Sequence, residues 1–248
     1  MNRHKRSEEQ MGAGVVVLRE GFEASLVVGI VLAFLDRTGR RDGFVAVWVG
    51  VAAALALSLA VGVALFAVGA ELEGTSEKLF EGVVMLTAAG LLTWMIFWMR
   101  NRARSIRREI EGRTQAALDA GSAVGLALVV FIGVGREGVE TALFLFSSIE
   151  GSSPLVSLVA ALIGGVAAIA LGYLFYRGSH RLNLRAFFTA TSVLLLLFAG
   201  YLLAFGLHEL AEAGVFPESQ ALLVGAFVLL AAPTLYFFFR KPKRTAGA

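Results

Sequence analysis

Between Asp42 and Glu71 the chain carries no charged side chain, and apolar stretches of similar length recur along most of the sequence. A run of about 20 apolar residues is long enough to cross the hydrocarbon core of a bilayer as a helix. Seven such runs are legible, at about residues 12–35, 43–70, 78–99, 121–148, 154–176, 186–207 and 220–239. In lipid, every backbone N–H and C=O must find its partner within the protein, so runs of this length fold as helices. The expected fold is all-α, a polytopic protein with seven transmembrane helices. It forms a single membrane domain over residues 1–248, with residues 1–10 as a polar tail. The composition agrees, at 57% hydrophobic residues and a mean hydropathy of +0.76. There is no cysteine, which removes disulfides and thiolate metal sites from consideration.

The sequence pI near 9.5 could suggest a nucleic-acid partner until the charges are placed. Of 22 lysines and arginines, 16 lie in the segments that follow runs one, three, five and seven, and Lys78 alone lies in the other connections. Positive residues stay on the cytoplasmic side. The chain is therefore expected to be N-out and C-in in the cytoplasmic (inner or plasma) membrane, in contact with lipid and not with nucleic acid. The stretch "RNRARSIRREIEGR" reads as a solvated cytoplasmic helix that could rest on anionic headgroups. His180 reads as solvated in a basic loop. Gly121 and Gly125 read as a small-xxx-small packing pair, and Trp48, Trp94 and Trp98 as ordinary interface anchors.

Two apolar runs break this pattern in the same way. Residues 19–23 read "REGFE" in the first, and residues 136–140 read "REGVE" in the fourth, an offset of 117 residues. Run one is expected to pass outside to inside and run four inside to outside. Such antiparallel copies are the mark of an inverted repeat. The expected arrangement is three plus three helices, with repeats at about 12–99 and 121–207 and an extra helix at about 220–239. At 1.5 Å per residue, Glu20, Glu23, Glu137 and Glu140 all fall roughly 12–17 Å below the outer edge, close to the midplane.

Residues three apart share one side of a helix, so each glutamate pair can face one cavity. The glycine between them admits a close neighbour. Arg19 and Arg136 are each four residues before a glutamate and can act as counter-charge or gate. A mid-helix charge opposes insertion by about 2.5–3.5 kcal/mol, so six must face each other or water, as on a substrate or ion path. Four carboxylates without cysteine or histidine suit cations that prefer oxygen, such as calcium, manganese or iron. The outer loops are acidic, and Glu73, Glu77 and Glu81, with His208, Glu209 and Glu212, form an expected way in for a cation, Glu81 foremost.

With the paired Arg-Glu-Gly-x-Glu motifs on runs one and four, and "FEGVVMLTAAGLLTWMIFWM" in run three, the chain resembles the oxidase-dependent iron permeases, fungal and bacterial. The resemblance spans nearly the whole chain. It implies inward transport of iron, ferrous or ferric, as substrate, with Glu20, Glu23, Glu137 and Glu140 as its ligands and no permanently bound cofactor. It further implies an extracytoplasmic iron oxidase or periplasmic iron-delivery partner. The fungal members' long acidic cytoplasmic tail has no counterpart here, which points to the prokaryotic branch. Alternatives are a carrier or exchanger for manganese, calcium, lead or protons, and an intramembrane metalloenzyme. No nucleophile or acid–base set supports the last, so the chain reads as no enzyme. Rocking of two halves and a gated channel both fit the sequence.

Overall fold

A computed structural model of the chain describes residues 3–102, 106–149, 154–176 and 184–217, together with Gly225 and Val228. The described residues form seven α-helices. They are α1 (Arg3–Arg37), α2 (Phe44–Glu71), α3 (Thr75–Arg102), α4 (Ile106–Asp119), α5 (Ala123–Ile149), α6 (Pro154–Tyr176) and α7 (Leu184–Glu212), with a single 3₁₀ turn at Arg41–Gly43 before α2. Six of these coincide with the first six apolar runs. The run at 220–239 falls outside the described residues apart from Gly225 and Val228, as does His180. α1 extends back to Arg3, so the polar segment continues the helix rather than preceding it. Its Arg, Lys, Glu and Gln residues are good helix formers.

By length and composition, the regions Arg41–Glu71, Thr75–Trp98 and Phe187–Glu212 can cross a membrane. α1 and α5 are as long, but each holds the three motif charges inside its apolar stretch. The chain is a multi-pass membrane protein. The connection from α2 to α3 turns at Gly74 with φ 64°, a left-handed conformation that favours glycine. Gly121 has φ 61° in the turn from α4 to α5. Its role is to end α4, so it is not half of a helix-packing pair.

The helices pair in a definite way. α1 packs along α6 and runs parallel to it, with Gly14 against Ala160, Gly21 against Ala168, and Gly172 against Ser25. α2 packs along α5, also in parallel, with Gly50 at Ala127, Gly138 at Ser58 and Gly62 at Ala142. α3 packs on α7 in the opposite sense, with Gly82 against Gly206 and Leu210. α1 and α5 also cross antiparallel, Gly133 lying on Val27.

Small residues make the parallel pairs possible. On α2 they are Gly50, Ala54, Ser58 and Gly62; on α6 they are Ala160, Gly164, Ala168 and Gly172. Both sets recur every four residues, a stripe that lets backbones close up where lipid provides no hydrophobic drive for association. The opposite faces of α2 and α6 expose Trp48, Leu55, Leu59, Leu162, Val166 and Ile169, which suits contact with acyl chains. One core joins α3 and α7 to Val16 of α1 and Phe144 of α5; another joins Val31 and Leu35 of α1 to Val47, Ala54, Leu126 and Val130.

α4 is docked, in contrast to the solvated helix expected from its charges. Ile110, Ala117 and Leu118 pack against the second core, and Thr114 is fully buried. Its charged face carries the i,i+4 pairs Arg107–Glu111 at 3.1 Å and Arg113–Glu109 at 2.8 Å. Arg37, at the end of α1, reaches Glu111 at 2.7 Å.

Burial raises the Glu111 carboxyl, but the Arg107 and Arg37 hydrogen bonds and charges outweigh it and hold the group below its ordinary value. That contribution is therefore present above an unfolded value of about 4.3 and is lost as pH falls through the lower folded value. A spin label at Arg108→Cys, in this otherwise cysteine-free chain, should gain mobility below about pH 4. Glu111→Gln should show the same mobility already at pH 7. An immobile label in both cases would break the link between this ion pair and α4 docking.

Candidate metal centre

The two motifs sit where α1 and α5 cross. Arg19 and Glu20 are fully buried, and Glu23, Glu137 and Glu140 are each at most 8% exposed. The parallel partners make this burial possible. A Cβ on Gly21 would come within 2.9 Å of Ala168 on α6, and one on Gly138 would strike Ser58 on α2. The motif glycines therefore admit a neighbouring helix, and the carboxylates project away from it toward the α1–α5 crossing. Ser25 donates to the carbonyl of Gly21 at 2.8 Å, and Thr141 to that of Glu137 at 2.8 Å, so hydroxyls near the motifs are satisfied within their own helices.

Glu20, Glu23 and Glu137 bring one carboxylate oxygen each to within 4.8 Å of one another. Oxygens on opposite sides of a cation with bonds of about 2.1–2.6 Å lie about 4–5 Å apart, so this spacing is that of a coordination site. At an effective dielectric near 20, two carboxylate charges at this distance repel by roughly 3 kcal/mol, a penalty that a cation between them would reverse. Both oxygens of Glu20, Oε1 of Glu23 and Oε2 of Glu137 are buried without a hydrogen-bond partner among the described residues. Buried polar atoms are ordinarily paired, so orphans gathered at one point mark a place for a ligand.

Glu140 belongs to the same neighbourhood but is engaged differently. Its Oε1 accepts a hydrogen bond from Nε of Arg136 at 2.9 Å, and that Nε stands 3.6 Å from Oε1 of Glu137. Arg19 Nε lies 3.1 Å from Glu23 Oε1. The four carboxylates are thus not equivalent. Three converge, with Glu23 beside Arg19, and the fourth stands outside them, hydrogen-bonded to Arg136. Phe22, between the first pair, packs edge-on against Phe187 of α7 at 4.8 Å. The Arg136 guanidinium lies over the Trp98 ring at 4.6 Å and the Trp94 ring at 5.9 Å. Trp48 and Trp94 are more than half exposed, as interface anchors would be, whereas Trp98 meets the motif. Sequence reasoning missed Trp98 because a tryptophan near a helix end has an ordinary explanation.

The acidic residues of the α2–α3 turn, the start of α3 and the end of α7 separate into two groups. Glu209 lies within electrostatic reach of Glu212, Glu81, His208 and Lys78, where α3 and α7 cross at Gly82 and Gly206. Lys78 is ion-paired with Glu212, and His208 Nε2 lies 3.2 Å from Glu212 Oε1. Glu212 is therefore already shared between two basic groups. Glu77 adds its charge beside Lys78, while Glu73 is exposed in the turn before α3.

Comparison with known proteins identifies the family of the chain. The profile of the iron permease FTR1 family matches residues 10–226. The chain is 36% identical over 224 residues to the ferrous iron permease EfeU of Escherichia coli O6:H1 (strain CFT073), covering 90% of this chain and 81% of that one. The EfeU of Shigella sonnei (strain Ss046) gives the same figures. The ferrous iron permease EfeU of Yersinia pestis is 33% identical over 267 residues, covering 94% and 95%. No solved structure matches the chain. With the profile spanning most of the sequence and relatives similar over most of their length, the chain belongs to the iron permease FTR1 family.

Proposed function

We propose that this chain is an iron permease of the cytoplasmic membrane. It carries iron into the cell through a centre made by Glu20, Glu23 and Glu137, with Glu140 as a fourth, exchangeable carboxylate and Arg19 and Arg136 as counter-charges. One observation carries this reading: three carboxylates from two separate motifs converge in the buried interior, and four of their six oxygens have no hydrogen-bond partner among the described residues. A hard, anionic, all-oxygen site suits iron, and the relatives are named ferrous iron permeases, which favours ferrous iron as the cargo. The acidic group at Glu81 and Glu209 would gather cations outside. An extracytoplasmic oxidase or delivery protein would supply the ion.

The same reading includes an inverted repeat, α1–α3 against α5–α7, with an extra helix at 220–239 and the amino terminus outside. Exchange of the two halves turns the α1–α6 pair into the α5–α2 pair. It leaves α1–α5 and α3–α7 as themselves, and this helix pairing supports the repeat. The small-residue stripes on α2 and α6 obey the same exchange.

The test is uptake of radioactive iron by cells lacking their own high-affinity system, in both oxidation states, with excess manganese, calcium or lead as competitor. Saturable iron uptake that depends on the protein and survives competition is expected. Uptake of another cation without iron, with or without oxidase partners, would transfer the function to that cation.

A further inference from the structure

The two motifs share their chemistry but not their surroundings. The Arg19 side chain is fully buried, whereas that of Arg136 is 32% exposed and lies against an aromatic face from α3. We propose that Trp98 is a positioning residue of the iron path, a seat that holds the Arg136 guanidinium beside Glu140 and off the three-carboxylate centre. This inference rests on the iron-permease reading above.

Two contacts fix the guanidinium, and a third supports the ring that makes one of them. Its Nε donates to Glu140 at 2.9 Å, its face lies 4.6 Å from the Trp98 ring centroid, and Trp94 stacks on Trp98 at 6.1 Å to support that ring. A guanidinium within about 6 Å of an indole face is attracted by the ring quadrupole, and the attraction strengthens when water is excluded. Glu137 is the competing partner. Its Oε1 is already 3.6 Å from the same Nε, and its Oε2 has no hydrogen bond. An arginine freed from Trp98 could close a two-pronged contact on Glu137, the geometry guanidinium and carboxylate prefer. That contact would occupy the oxygens that complete the centre with Glu20 and Glu23. The indole thus opposes a self-inhibited site, and it does so without touching the ion.

Uptake kinetics on surface-matched variants test this. Trp98→Ala should raise KM for ferrous iron about tenfold, with Vmax nearly unchanged. Trp98→Phe, which keeps an aromatic face, should stay within about threefold of wild type. Trp48→Ala, on the lipid face of α2, should behave as wild type. In an Arg136→Gln background, Trp98→Ala should add nothing, because no guanidinium remains to misplace.

An unshifted KM in Trp98→Ala would overturn the proposal. So would a Trp98→Ala shift that persists undiminished without Arg136, since that is the behaviour of a packing residue. If Arg136→Gln transports nothing, equilibrium binding of ferrous iron under reductant to the purified variants runs the same cycle. Wild-type uptake in parallel separates the two claims. Its absence overturns both, whereas normal wild-type uptake with an unshifted Trp98→Ala overturns only the role of Trp98.

Discussion

Glu20→Gln lowers iron uptake by about a hundredfold or more at unchanged surface abundance, the largest loss expected from any single conservative change in this chain. Even outer-shell partners of metal ligands cost 10–100-fold when removed, and a direct ligand lies at or beyond the upper end of that range. Glu20 is the most buried of the four carboxylates, and neither of its oxygens is otherwise engaged. Glutamine keeps the shape and removes the charge, so the helix crossing should survive. Glu140→Gln should lose less, about tenfold, because Glu140 bonds Arg136 and stands outside the converging three. The measurement is initial-rate uptake of radioactive iron at matched surface expression. Normal transport by Glu20→Gln would make the buried cluster a structural network and remove the proposed centre.

The second large effect concerns folding. Gly164→Val should destabilise the protein by about 3 kcal/mol or more, enough to prevent accumulation of folded material. A Cβ there would overlap the carbonyl oxygen of Gly14 and come 3.1 Å from the Leu18 amide nitrogen. Both obstacles are backbone of α1, so neither can rotate away, and the α1–α6 pair would have to separate. Gly90→Val is the matched control, since nothing lies within 4 Å of a Cβ at that exposed site. Thermal unfolding of the purified proteins in detergent decides it. A Gly164→Val protein that melts with wild type would mean that α1 and α6 do not approach so closely at Gly14 and Gly164.

The parts of this fold that follow local rules were legible beforehand. Six apolar runs became six long helices because lipid leaves the backbone no other option. Glu20, Glu23, Glu137 and Glu140 stood out in the sequence because charges within such runs are costly and must face each other or water, whether they bind an ion or pin the helices together. What the sequence concealed depends on which helix meets which. The four-residue stripes on α2 and α6 are visible once sought, yet alanine and glycine are common in membrane helices and gain meaning only from the neighbour they admit. The docking of α4 was hidden by its many charges, which occupy one face while Ile110, Ala117 and Leu118 occupy the other. The inequality of Glu140 and Glu137 was hidden too, because the two motifs match at every charged position and differ only in what surrounds them.

The stripes have a mechanical consequence. Each motif helix is zipped to a helix from the opposite half of the chain, α1 to α6 and α5 to α2, through backbone contacts too close to slide. The halves are interlaced like folded hands, and a hinge along the line between them would have to tear both zips. The seam that remains lies between the interlaced quartet and the antiparallel α3–α7 pair, which holds chiefly to itself and bears Trp98 at one end and Glu81 and Glu209 at the other. On the proposed function, the interlaced quartet would serve as a fixed pillar and the α3–α7 pair as the moving wall.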